Sequence, residues 1–335
     1  MNVEINTSDI VKEYRAKKAI NYSSLSALAT SPQAYIARDS IGSIPAFRKG
    51  SAVDCMLTTP NDFHSDFYVM DIRKTPPPML MKYVDELFKL APQIPEEEDH
   101  DRAYIESGYK LKKESVREKF INEGVEYYNS LKDAKGKTIL SFDEYTQINK
   151  AVNQIKNGEF TAKYFKKPEE GIDIFYQFPI YWELKGQACK SLLDILVIDH
   201  KTKSIYPIDL KTTGKSVLNF RSAFMKWKYY LQASFYSAAT NFWKANDTDL
   251  VDYNVKNFKF IVVETMGDNP PMIFQTTNND LEVGEHGGTD KHGNEIKGYI
   301  ELISDLNFHN SKNKWDFPKE AYDNNGVVML NTMGS

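Results

Sequence analysis

The stretch Ser191-Leu192-Leu193-Asp194-Ile195-Leu196-Val197-Ile198, followed by Tyr206-Pro207-Ile208-Asp209-Leu210-Lys211-Thr212-Thr213, decides the fold. Both runs are aliphatic and β-branched, and Asp199-His200-Lys201-Thr202-Lys203 between them is a polar turn, so they read as paired strands. Asp194 interrupts an otherwise apolar run. Asp209 and Lys211 lie two residues apart, so a strand points both to one face and Ile208 and Leu210 to the other. A hairpin can bring Asp194 beside Asp209. Two carboxylates that close repel unless a cation lies between them. A hard divalent ion with oxygen ligands is the natural solution, and Mg²⁺ fits. The Lys211 ammonium then faces the same site, where it can orient or deprotonate a water or neutralise a phosphate.

Outward from these strands the chain changes texture. Residues 172–182 read as a preceding strand, and residues 217–244 as one long helix with an aromatic stripe. Residues 258–265 and 272–275 read as further strands. Sheet, long helix, strand is the order of an α/β core, assigned to residues 168–335. Residues 74–167 are rich in Lys and Glu, with helical spacing at 79–90, 115–131 and 141–155, and read as a helical insertion or arm. The acidic run 96–99 inside it reads as a solvated loop. Residues 1–73 read as short helices. Ser23 or Ser24 can cap the first, Ser31-Pro32 can start the next, and residues 47–57 form a third.

Composition narrows the function. The 335 residues are 41% hydrophobic, 13% aromatic and 26% charged, which excludes a disordered or collagen-like chain. Two cysteines, Cys55 and Cys189, exclude a disulfide scaffold and a four-cysteine zinc or iron–sulfur site within one chain, and suit a reducing cytosol. The first ten residues carry Glu4 and Asp9 and no apolar core of a signal peptide, so a cytoplasmic protein without a membrane partner is expected. The net charge of -4 means that contact with nucleic acid needs a local basic groove. Lys215, Arg221, Lys226 and Lys228 cluster beyond Lys211 with aromatics interleaved, and Arg48 and Lys49 can add to that groove. Most of the aromatics are expected in the core. Thr213-Gly214-Lys215-Ser216 has Asp209 where a P-loop needs its first glycine, so no ATP site is expected. Glu285, His286 and His292 sit in a Gly-rich polar stretch that reads as a loop rather than a ligand cluster.

Asp194, then Asp209-Leu210-Lys211, then Gln232 and Tyr236 four residues apart on one helix, resemble the PD-(D/E)xK nuclease superfamily. The chain resembles in particular its phage and prophage exonuclease VIII-type (RecE-like) branch. The opening segment Tyr22 to Leu28 with Ser31-Pro32, the helix Gly50 to Leu57 followed by Pro60 and Phe63, and Phe260 to Glu264 followed by Pro270-Pro271 extend the likeness along the chain. The region between Lys74 and Lys167 is least covered. The resemblance implies a restriction-endonuclease-like core: a mixed central sheet flanked by helices, with a helical N-terminal region and a helical insertion. It implies a DNA exonuclease that hydrolyses phosphodiesters with a metal-activated water. Asp54, Asp194, Asp209 and the Leu210 carbonyl would hold Mg²⁺ or Mn²⁺, Lys211 would serve the water, and Gln232 and Tyr236 would reach the scissile phosphate. It further implies linear DNA with ends as partner, a homo-oligomeric ring and a single-strand annealing protein, in the cytoplasm of a bacterial host. Two positions depart from the pattern. Asp54 stands where the family often has His, and Gln177 lies nearest the place of a family glutamate, with Glu183 further on. A degenerate nuclease fold that binds DNA without cutting it, and a structure-specific endonuclease, are the alternatives.

Overall fold

The two quoted runs pair as antiparallel strands inside a six-stranded mixed sheet. The computed structural model describes residues 7–38, 45–70, 76–289, 293 and 295–328. The chain opens with α1 (Thr7–Ala16), α2 (Tyr22–Leu28), α3 (Pro32–Ala37), α4 (Pro45–Thr58) and a single turn, α5 (Phe63–Asp66). Next come β1 (Phe67–Val69), α6 (Pro78–Leu90), α7 (Glu97–Ser107), α8 (Lys113–Lys119), α9 (Val125–Ala134), β2 (Thr138–Leu140) and α10 (Phe142–Asn157). The sheet begins with β3 (Ile172–Leu184), β4 (Gln187–Asp199) and β5 (Ser204–Thr213), and α11 (Phe220–Lys226) and α12 (Tyr229–Ala245) follow. The chain continues through β6 (Asn254–Val255), β7 (Lys259–Glu264), β8 (Met272–Gln275), α13 (Asn278–His286), β9 (Gly288–Thr289), β10 (Glu295–Ile296), α14 (Tyr299–Lys312) and α15 (Lys319–Asp323).

Local chemistry sets the order β3-β4-β5-β7-β8. Lys185 and Gly186 both have positive φ (51° and 74°) between the paired residues Leu184 and Gln187, the backbone that a two-residue hairpin turn matching strand twist requires. At the β4–β5 corner the Asp199 carboxylate accepts from Lys201 N (2.9 Å) and Thr202 N (3.1 Å). β5 then pairs parallel with β7 from Ile208↔Lys259 to Thr213↔Glu264, with α11 and α12 forming the crossover. The result is a mixed central sheet flanked by helices. One face carries α12, and the core there joins Leu196, Ile198, Ile205, Phe260 and Val262 to Leu231, Phe235 and Ala239. On the other side α4 packs on β5 and α10 on β7. The helices between β1 and β2 share a separate core around Leu80, Tyr83, Val84, Leu87 and Tyr128. Among the described residues no helix is long and apolar enough to cross a membrane.

Several sequence expectations need correction. The acidic run is not a loop. Glu96 caps α7, Glu97, Glu98 and Asp99 form its first turn, and carboxylates at a helix N-terminus meet the positive end of its dipole. Asn21, not a serine, caps α2. Its Oδ1 accepts from Ser24 N (2.9 Å), and Ser24 reciprocates toward Asn21 N (3.1 Å). The long helix expected over 217–244 is broken at Trp227 and Lys228, where Lys228 takes a left-handed φ of 57°. The 115–131 helix carries a π-helical turn at Phe120–Gly124. The parallel pair β1–β2 had no sequence signal, being only three residues long per strand. His286 ends α13, whereas His292 lies outside the described residues.

Candidate active site

Strand period and helix approach together build one acidic centre. On β5, Ile208 and Leu210 pack into the apolar clusters of one face, while Asp209 and Lys211 turn to the face that carries α12. Asp209 is 3% exposed. Gln232 on α12 donates from Nε2 to Asp209 Oδ1 at 2.6 Å. Asp209 Oδ2 is paired with the Lys211 ammonium, whereas Gln232 Oε1 is buried without a donor. The Lys211 ammonium also lies 4.9 Å from the Tyr229 ring centroid and 5.9 Å from that of Phe260.

The β4–β5 ladder runs to Ile195↔Ile208 and stops there. At the next step Asp194 Oδ2 accepts from Leu210 N at 2.7 Å, so a side chain replaces a ladder bond. This fixes Asp194 beside Asp209. Asp54 arrives from α4. That helix comes close to β5 at Gly50, where an added Cβ would lie 3.2 Å from Thr212 Oγ1. Gln177 on β3 links the carboxylates: its Nε2 lies 3.0 Å and 3.1 Å from the two Asp54 oxygens and 3.4 Å from Asp194 Oδ1.

The electrostatics follow from crowding. Burial first, and then the charge of Asp209, push the Asp54 carboxyl up to about 7. Burial, Asp209 and Asp54 raise Asp194 well above the carboxylate range. Burial pulls the Lys211 ammonium down, but Asp209 beside it outweighs this and holds it above the ordinary lysine value. Three carboxylates therefore face one ammonium.

The structure brings together Asp54, Asp194, Asp209, Lys211 and Gln232. Tyr236 shares the Gln232 helix face and is buried edge-on to Tyr22 and Phe258, its hydroxyl within electrostatic reach of Asp209 and Asp194. The expected basic groove divides. Arg48 pairs with Glu144 (2.9 Å), Lys49 donates to Gln147 (3.1 Å) and Lys228 donates to Thr30 (3.0 Å). Lys215, Arg221 and Lys226 are exposed, as is Trp227 beneath Lys226. Phe220 and Tyr230 are in the core, as expected of the stripe.

Sequence patterning gave no sign of three neighbours. Tyr22 donates to Trp227 O (2.8 Å) across the helix break. Thr58 Oγ1 lies 3.5 Å from Asp54 Oδ1. Glu264 accepts from Val217 N (2.8 Å) and Asn269 Nδ2 (2.7 Å), tying down the loop after β5.

The donor chemistry suits a hard cation: every candidate ligand is oxygen, three carboxyl groups crowd against a single ammonium, and the buried Gln232 Oε1 has no donor. Among the described residues no three His, Cys, Asp or Glu side chains stand ready to hold a metal ion as they are arranged.

No family model matches the chain, and no curated protein matches it. Among solved structures, a protein of Eubacterium rectale described as a "Putative exonuclease" is similar to it, at 13% identity over 76% of this chain and 91% of that one, with a TM-score of 0.35.

Proposed function

We propose that the chain is a divalent-metal-dependent deoxyribonuclease, acting as an exonuclease on DNA ends. One observation carries the reading: Asp54, Asp194, Asp209, Lys211 and Gln232, from a helix, two strands and a second helix, meet around one buried centre. Asp54, Asp194, Asp209 and the Leu210 carbonyl would hold Mg²⁺ or Mn²⁺. Such a cation would supply the positive charge that a scissile phosphate needs as water attacks it. Lys211, beside Asp209, would orient or deprotonate the attacking water or neutralise charge on the phosphate. Gln232 fixes Asp209. Lys215, Arg221 and Lys226 supply phosphate contacts beyond the centre, and Trp227 offers a ring for stacking on an unpaired base. A homo-oligomeric ring and a single-strand annealing partner belong to this reading through the family likeness.

Asp209→Ala and Lys211→Ala are each expected to lower DNA cleavage at least a thousandfold while the folded far-ultraviolet spectrum is kept. Full cleavage by either purified variant rejects the assignment.

A second reading has one observation in its favour: a neutral amide, Gln177, stands among the carboxylates. It makes the chain a DNA-binding protein on a nuclease-like scaffold. That reading requires salt-sensitive DNA binding with no cleavage under any divalent metal.

A further inference from the structure

Gln177 has a left-handed backbone, φ 49°, inside a strand, a conformation that a residue with a side chain adopts only when its surroundings impose it. It sits at the one step of the β3–β4 ladder that lacks pairing, between Tyr176↔Ile195 and Phe178↔Leu193, and so directly across from Asp194. The residue is 5% exposed. The backbone twist aims its carboxamide into the acidic centre. Around Nε2 stand Asp54 Oδ2 (3.0 Å), Asp54 Oδ1 (3.1 Å), Thr58 Oγ1 (3.4 Å) and Asp194 Oδ1 (3.4 Å). With Nε2 inward the carboxamide donates to these oxygens; turned over, it would aim Oε1 at three carboxylate oxygens. Two N–H groups thus face four oxygens, an environment that resembles the shell around a cation.

We propose that Gln177 competes with the divalent cation for the place between Asp54 and Asp194. The amino group donates its partial positive charge to both carboxylates, and a cation can bind them together only by displacing it. Gln177 then sets the cation affinity of the centre and is not one of its ligands. This inference rests on the metal-dependent reading above. It also accounts for the absence, among the described residues, of a ready three-carboxylate group: the carboxamide holds Asp54 and Asp194 to itself, while Asp209 is taken by Lys211 and Gln232.

The test is Mn²⁺ binding to the full chain, read by electron paramagnetic resonance with no DNA and no turnover. Four proteins are compared: wild type, Gln177→Gly, Gln177→Met and Asp194→Asn. Glycine accepts the left-handed backbone at no steric cost, and methionine keeps the side-chain length without the donors. Hydrogen bonds to charged groups are the strong ones, so removing them from the competitor is expected to tighten Mn²⁺ binding about tenfold in both Gln177 variants. Asp194→Asn is expected to lose binding. Unchanged or weaker binding in the Gln177 variants, with binding still lost in Asp194→Asn, overturns the competition and leaves the nuclease reading standing. No Mn²⁺ binding by the wild type overturns both.

Discussion

At Asp209 a strand position, an ion pair and a helix contact converge. Its Oδ1 has one protein donor, Gln232 Nε2, and both groups are almost fully buried. Gln232→Ala removes that donor and leaves the carboxylate free to turn. The proposed mechanism expects kcat to fall about tenfold or more with KM nearly unchanged, because a hydrogen bond to a charged group contributes about 1.5–3 kcal/mol. Steady-state kinetics on a short duplex would check the split; a change confined to KM would assign Gln232 to substrate binding. The sequence made Asp209 and Lys211 legible because strand period alone puts them on one face. Asp194 was legible as a charge inside an apolar strand. Asp54 came only through family likeness, since nothing in a helix pattern says that its third turn meets a strand from elsewhere in the chain. The part played by Gln177 was hidden, because a left-handed backbone at glutamine leaves no mark in composition or spacing.

Elements were readable where hydrophobic period and turn chemistry agreed, as at the Asp199–Lys203 corner between β4 and β5. They were misread where tertiary contacts chose the break. The α11–α12 kink is held by Tyr22 donating to Trp227 O, a contact 205 residues apart in sequence. Helix α13 lies against α12 at Gly284, where an added Cβ would come 2.4 Å from Tyr230 O and 2.5 Å from Ser234 Cβ. Alanine improves helix propensity by about 1 kcal/mol, but overpacking against backbone costs about 1–3 kcal/mol and has nowhere to relax. Gly284→Ala is therefore expected to lower stability by about 1–2 kcal/mol in urea unfolding; a more stable variant would mean that the two helices separate freely. Helix α7 brings His100 to Tyr83, with the ring nitrogen Nδ1 2.6 Å from the tyrosine oxygen. Burial, and then Arg117, hold this imidazole below its ordinary value of 6.5. The folded state thus favours neutral His100. Its contribution is complete above pH 6.5 and is lost as pH falls through the lowered folded value. Thermal melts between pH 5 and 8 should show a shallower acid-side loss in His100→Gln than in the wild type. Identical slopes would place the histidine in water.

Over the whole molecule, the sheet core and the helical segment between β1 and β2 carry separate apolar clusters, and the acidic centre lies where α4, β3, β4, β5 and α12 meet. The α/β class was legible because strand, long helix and strand recur in order. The packing of α4 and α10 on the far side of the sheet was not, since the apolar stripe of a helix names no partner. The chain is acidic overall, so contact with a polyanion would fall to exposed cations such as Lys215, Arg221 and Lys226. The most direct measurement is digestion of end-labelled linear duplex, single strand and covalently closed circle, each with Mg²⁺, Mn²⁺ or EDTA. A metal-dependent exonuclease should consume linear DNA with either cation, spare the closed circle and stop in EDTA. Cleavage of the closed circle would contradict action from ends, and intact DNA under every condition, with binding retained, would contradict catalysis itself.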